Sequence, residues 1–446
     1  MKRNLALLLA LVMMLGCFSL SASAEELAPM TTEPITLTFS LWGQDLEGNA
    51  EATAALVKQF TEKYPNITVE EVIIEQAQWD STLQQKAAIG ELPDVFGVFS
   101  VSAAVMNEWA LPLDSYYAAD PAAGDMYEAV LTNSKIGGSI YSVPWVLYPH
   151  MVIVNKTMFE NYNEPLPSYD WKVDEFFEIA ERLSHPEEFY FGTAQPLYED
   201  LYPGWFNGNQ GKWGWDGENY NFDEVWVAAI EKKYELMDAD VLEWESAEDK
   251  IKFLGSDAWP PAWGRVAMTI GFPWDIPNFD VNGINTQQSG CEFLFYPLPT
   301  GESGKVMHII DNAVVAASTK HPREAWELLK WLTWGEEALL CRQAANREMG
   351  LSVSRLPATK NEAAWKDLID NTAREDLKAL YGSLTDVVPS NWPVAPGWGL
   401  IETWINENEI YAKIDSREIT PAEIASELNQ KANELKDQWL AELAAK

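Results

Sequence analysis

Ile35-Thr36-Leu37-Thr38-Phe39-Ser40-Leu41-Trp42 places an apolar residue at every second position, the pattern of a strand with one buried face. Downstream, Ala52, Leu56, Phe60 and Tyr64 recur at four-residue steps, which predicts a helix stopped by Pro65-Asn66. Ile67 to Ile74 reads as a second strand, and Trp79, Leu83 and Ala87 mark a second helix ended by Gly90. Val95-Phe96-Gly97-Val98-Phe99 then has the apolar run of a buried third strand. Strand, helix, strand, helix, strand predicts a parallel sheet with helical crossovers. Ligands of such sheets gather beyond the carboxyl ends of the strands. Those ends are Trp42-Gly43-Gln44-Asp45 and Ser100-Val101-Ser102.

The same reading extends along the chain. Gly137-Gly138 is a turn before a strand that runs from Ser139 through Trp145 and Tyr148 into Met151–Lys156. From Tyr198 to Tyr220 the composition changes to glycine, asparagine and aromatic residues, including Trp205, Trp213 and Trp215. Gly264–Gly271 is another strand, leading into Phe272-Pro273-Trp274-Asp275, and Asn312–Ala317 is a further one. Pro322 opens a helix through Ala325, Leu328, Leu329 and Leu332. Thr420-Pro421-Ala422-Glu423 is a capping box with proline at the first helical position. Ile424, Leu428, Ala432, Leu435 and Trp439 form the buried stripe of that last helix.

A chain of 446 residues suggests two or three folding units. With 31 basic against 68 acidic residues the net charge is −37, a field that repels polyanions and argues against a nucleic-acid partner. The 47% hydrophobic content excludes disorder. Met1-Lys2-Arg3, the apolar run from Leu5 to about Leu20 and the A-x-A site at Ala22-Ser23-Ala24 predict a secretory signal peptide over residues 1–24. Leu15-Gly16-Cys17 resembles the end of a bacterial lipoprotein box, so a lipid anchor at Cys17 stands as an alternative to plain secretion. Cys291 and Cys341 give no disulfide framework; isolated thiols are the default, although an exported protein permits a bridge. The histidines have no zinc-ligand spacing, and no metal or cofactor site is expected.

Taken in order, several segments resemble extracellular solute-binding proteins of bacterial ABC importers, in the branch that binds maltodextrins and other carbohydrates. They are the first strand ending in Trp42, Phe60–Val69, Leu92-Pro93-Asp94-Val95, Gly138–Pro144 with Asn155-Lys156, Ala267-Met268 with Trp274, Ala325–Leu332, and the capped terminal helix. The resemblance covers nearly the whole mature chain. It implies an α/β type II periplasmic-binding-protein fold, with two α/β lobes facing across a cleft and multiple hinge crossovers. By analogy the first lobe is 33–147 plus 306–358 and the second is 148–305 plus 359–446. It also implies a monomer that captures a carbohydrate, most simply an oligosaccharide, and delivers it unaltered to the transmembrane subunits of a permease. The location is extracytoplasmic: secreted, periplasmic or tethered to the cell surface.

A sugar ring presents an apolar C–H face and an equator of hydroxyls. Tryptophan suits the former, because it buries a large area with few rotamers to freeze. Carboxylates, amides and hydroxyls suit the latter. Trp42, Gln44, Asp45, Ser100 and Ser102 lie at the ends of the first and third strands. Tyr148 lies in the crossover, where hinge and ligand roles both fit, and Asp275 follows Trp274 as a ligand or a turn cap. Through the resemblance, Trp274 and Trp398 align with sugar-stacking positions, with Trp392 beside the latter. Tyr198 and Trp205 fall in the central ligand loop, and Trp213 and Trp215 line the cleft or cover a loop. Trp109, Trp326, Trp331, Trp404 and Trp439 lie on helical patterns and read as packing; Asp94 reads as a turn anchor and Arg265 as a surface charge. Two other functions are weighed. A secreted glycan-cleaving enzyme needs two carboxylates about 5–10 Å apart. The same fold could instead carry a peptide, an anion or a polyamine, the last held by carboxylates and aromatic walls.

Overall fold

A computed structural model describes residues 27–44, 48–133, 135–194, 198–243, 246–384, 387–390 and 395–446. The signal segment with Cys17, and also Asp45 and Trp392, lie outside the described residues.

The opening pattern folds as its periodicity dictates. Strand β1 (Ile35–Ser40) pairs in parallel with β2 (Ile67–Glu71) and β3 (Val95–Val98), joined by helices Asn49–Lys63 and Trp79–Ala88. Asp94 pins this unit. Its Oδ2 accepts from Thr38 N at 2.8 Å and Thr38 Oγ1 at 3.0 Å, its Oδ1 accepts from Thr319 Oγ1, and its carbonyl accepts from Ala316 N. It is the expected turn anchor, tying together three chain segments.

After the hairpin β4 (Lys135–Ile136) and β5 (Ser139–Ile140) comes β6 (Val143–Pro149), followed after His150 alone by β7 (Met151–Asn155). That single residue carries the chain from the first sheet into a second. The second sheet runs β10 (Phe293–Pro297), β7, β9 (Val266–Gly271), β8 (Phe191–Ala194), with β8 and β9 parallel and the other pairs antiparallel. The first sheet is completed by β11 (Val306–Val315) and β12 (Val387–Pro389), in the order β12-β11-β3-β1-β2, with β6 also paired to β11. β11 begins six residues before the segment legible in the sequence. His308 and Asp311 break its apolar run, while β6 covers its early half from Pro149 at His308 to Val143 at Ala313.

Each sheet has its own core, and the molecule is a two-lobed α/β protein. The first core gathers Leu37, Phe39, Leu56, Phe60, Phe96 and Trp326, and the second gathers Val152, Phe176, Trp205, Ala267, Met268 and Ile270. A third cluster joins β6, β7, β10 and β11 to the segment after them, through Leu147, Met151, Ile310, Leu356 and Val387. Burial of this kind on both strand faces gives near-continuous apolar runs. The terminal helix Pro421–Ala444 has its capping box intact: Thr420 Oγ1 accepts from Glu423 N, and Glu423 Oε2 accepts from Thr420 N. Leu428 and Ala432 sit in a fourth cluster with Trp213 and Trp398, whereas Trp439 reaches the first core with Leu440 and Leu443 beside it.

Trp326, Trp331 and Trp439 are buried as the helical patterns required, and Trp109 and Trp404 pack half-buried against the cores. Cys341 is buried and Cys291 half-buried, and both thiols are free, so no bridge joins them. Arg265 is half-buried, its guanidinium 4.6 Å above the Tyr190 ring, which corrects the reading as a simple surface charge. No described helix is long and apolar enough to cross a membrane.

Candidate functional site

Just past β1, the Trp42 indole lies flat across β3. A Cβ on Gly97 would come within 2.4 Å of a Trp42 ring carbon, so glycine at this position makes room for the indole. Trp42 stacks on Phe99 with centroids 4.6 Å apart at 25°, and meets Trp79 and Trp145 edge-on at 5.4 and 5.8 Å. Phe99 remains more than a third exposed, so this stack has an outer face. The indole Nε1 donates to Asp311 Oδ2 at 2.9 Å, and Trp79 Nε1 donates to the Gly97 carbonyl at 2.9 Å.

A second aromatic wall comes from the other sheet. β9 ends at Gly271, and the short turn Pro273–Asp275 turns Trp274 back onto the Tyr148 ring, 4.7 Å away and edge-on. Phe272 stacks on Trp274 at 4.2 Å and touches His150 at 4.6 Å. Asp275 Oδ2 accepts from Phe272 N at 2.9 Å, the turn-capping role. Burial pushes its carboxyl up to about 6, with that hydrogen bond opposing the shift.

The walls meet through residues that sequence reasoning missed. Arg355 Nη2 donates to the Trp42 and Gly43 carbonyls at 2.9 and 3.1 Å, and its guanidinium lies 4.8 Å over the Trp145 ring. The same guanidinium neighbours the Tyr148 phenol, whose pKa burial raises to about 12 against the opposing pull of Arg355. Asp311 is held up at about 6 by burial, with the Trp42 N–H and Arg355 opposing. Arg342 is buried beside Arg355 and Tyr148, and desolvation followed by the Arg355 charge lowers it to about 9. One cue lay in the sequence: a carboxylate in the middle of the apolar strand Ile309-Ile310-Asp311-Asn312. Nothing in the sequence links it to an arginine 44 positions later.

The remaining expected site residues divide. Gln44 follows this loop with both side-chain polar atoms buried and without a hydrogen-bond partner among the described residues. Ser100 and Ser102 share a hydrogen bond at 3.0 Å, and Ser100 Oγ also caps the helix Val101–Met106 by accepting from Ala103 N. Trp205 stands apart: it is fully buried in the second core, its N–H on the Pro299 carbonyl, so it is a core residue with no face left for a ligand. Trp213 and Trp398 stack at 3.6 Å within the fourth cluster, where Trp215 is also buried; Lys212 lies about 5 Å over both stacked rings. Tyr198 opens the helix Tyr198–Tyr202, beside this cluster in the fold. The structure thus brings together Trp42, Gln44, Tyr148, Trp274 and Asp275, and places Trp213, Trp215 and Trp398 in a separate aromatic block.

Two α/β lobes joined through shared strands, with aromatic stacks from both sheets linked through Tyr148 and Arg355 where they meet, define a two-lobed binding protein. The sequence profile of the bacterial extracellular solute-binding proteins matches residues 44–333, and the chain belongs to that family. An uncharacterized ABC transporter extracellular-binding protein of Pyrococcus horikoshii is 22% identical over 429 residues, covering 90% of this chain and 88% of the relative. Among solved structures, an ABC substrate-binding protein of Listeria monocytogenes in complex with cycloalternan superimposes with a TM-score of 0.66 at 19% identity, covering 90% of this chain and 98% of that one. A cyclo/maltodextrin-binding protein complexed with maltotetraose gives 0.65 at 18% identity, with 90% and 97% covered. The sugar-binding protein MalE of Xanthomonas citri gives 0.65 at 18%, with 91% and 98% covered. At these identities the likeness carries the fold.

Proposed function

We propose that this protein is the extracytoplasmic substrate-binding component of an ABC importer, and that it captures an oligosaccharide by lobe closure and hands it unaltered to a permease. The supporting observation is the pair of aromatic stacks, Trp42 on Phe99 and Trp274 on Phe272, contributed by different sheets and separated by Tyr148, Asp311 and Arg355. Indole faces take the C–H surface of a sugar, and the buried polar groups take its hydroxyls. The structural relatives bound to cycloalternan and maltotetraose agree with this reading.

The lobes in this proposal are 33–147 plus 306–358 and 148–305 plus 359–446, except that β12 (Val387–Pro389) belongs to the first sheet beside β11 and the last turns of the terminal helix reach back to the first core. Residues 1–24 act as the export signal, or Cys17 as a lipid anchor, and the protein works as a monomer without a catalytic step. Asp45, Tyr198, Trp392 and Trp398 are retained in this proposal as further ligand residues. The polyamine alternative is disfavoured by Arg342 and Arg355 at the junction, where a polycation would meet like charge. A thermal-shift screen across neutral and acidic glycans, spermidine and short peptides tests the proposal, because a ligand specific for the native state raises the melting temperature. Stabilisation by a glycan supports it; stabilisation by spermidine or peptides alone contradicts it.

A further inference from the structure

Five of the eight described arginines are paired with a carboxylate, and half-buried Arg265 lies over the Tyr190 ring instead. Arg182, Arg323, Arg347, Arg374 and Arg417 each hold a carboxylate within 3 Å. Arg342 and Arg355 are different. Both are about 95% buried, and among the described residues neither forms an ion pair, in a chain with 68 acidic residues. Arg355 spends Nη2 on two carbonyls and lies beside the Tyr148 phenol, and Arg342 makes one long bond to the Leu332 carbonyl; among the described residues no hydrogen-bond partner meets Nε or Nη1 of Arg355 or Nη1 of Arg342. Among the described residues Trp145 Nε1, under the Arg355 guanidinium, is also unpartnered, as are Nε2 and Oε1 of Gln44, next to the Gly43 carbonyl that Arg355 holds.

Unmatched donors therefore outnumber unmatched acceptors five to one in the set Arg355, Arg342, Trp145 and Gln44. Native proteins rarely leave one buried polar group unpaired, because each forfeits its hydration without regaining a hydrogen bond. Water relieves such an imbalance poorly, since it donates as readily as it accepts. An anion only accepts, and a planar carboxylate matches the guanidinium fork. The local charge agrees: among the described residues the Arg355 guanidinium, with Arg342 beside it, neighbours one carboxyl, Asp311, already engaged by Trp42.

We propose that Arg355 and Arg342 form an anion subsite of the ligand site, and that the captured glycan carries a carboxylate, as a uronic acid does. This rests on the carbohydrate reading above and narrows it: the aromatic walls hold the rings, and the arginine pair selects the acidic residue. Neutral sugars would then leave the donors unmatched, which is a strong basis for discrimination.

The experiment is calorimetric titration of the full mature protein with matched probes: digalacturonate against galactobiose, cellobiouronate against cellobiose, and maltotriose against its terminally oxidised uronate. Sodium sulfate and sodium phosphate are run alongside. At least one uronate is expected to bind tenfold or more tightly than its neutral partner, with no comparable binding of the inorganic anions. Arg342→Gln and Arg355→Lys are each expected to reduce that uronate-to-neutral ratio at least fivefold, and the wild-type comparison stands even where a variant fails to fold. A neutral member binding as tightly as its uronate overturns the acidic preference while leaving the carbohydrate reading intact. Binding of none of the sugars counts against both, and sulfate or phosphate binding as tightly as the uronates overturns the sugar-linked subsite.

Discussion

Trp274 is proposed as a site residue because it aligns with a sugar-stacking position of the family and follows the end of a strand in the turn Gly271-Phe272-Pro273-Trp274-Asp275. Its contact with Tyr148 across the junction makes a definite expectation: Trp274→Ala weakens glycan binding at least tenfold in calorimetry while the circular-dichroism spectrum stays unchanged. Asp311 and Arg355 were not readable, because their meaning depends on Trp42 lying about 270 and 310 positions away in sequence. Asp311 carries its own expectation. Its folded pKa, about 6, lies above the ordinary carboxylate value, so its contribution is fully present below about pH 4 and is lost as pH rises through 6. Asp311→Asn keeps an acceptor for the Trp42 N–H and removes that loss. The variant is expected to be more stable than wild type at pH 8 by about 1–3 kcal/mol in urea denaturation, with the advantage gone at pH 4.

Among the elements, the parallel unit β1–β2–β3 was legible almost to the residue, since alternation, helical steps and the stops at Pro65 and Gly90 all agree. β11 was half legible. Its later part reads as a strand, but its earlier part is a crossover paired with β6, whose residues were chosen by burial between lobes more than by strand periodicity. The glycine in β3 was visible as an oddity within a buried strand, and only the fold shows that it seats Trp42. Gly97→Ala drives a methyl into the indole, so Trp42 must leave Asp311. The expected result is a loss of about 1–3 kcal/mol in stability and at least fivefold weaker glycan binding, read by denaturation and calorimetry on the same preparation. Unchanged affinity would mean that the Trp42–Phe99 stack is not a sugar platform.

For the molecule as a whole, the order of segments points to two lobes, whereas the distribution of tryptophans among the cores is not legible in it. Trp205 shows why: a tryptophan in a glycine-rich loop looks exposed in sequence, yet here it fills the second core. The terminal helix adds a constraint that no local pattern displays. Leu428 and Ala432 pack with the Trp213–Trp398 block while Trp439 packs into the first core, so one rigid rod touches both halves. Trp439→Ala is expected to cost about 3–5 kcal/mol of stability, as loss of a buried indole does, measured by its denaturation midpoint. Closure around a ligand remains the central physical claim, since a ligand shifts the open–closed balance only by binding the closed form more tightly. Small-angle X-ray scattering on the mature protein, with and without a saturating amount of the glycan that most raises its melting temperature, addresses that claim directly. A smaller radius of gyration in the bound state is the expected result, and superimposable scattering curves would contradict it.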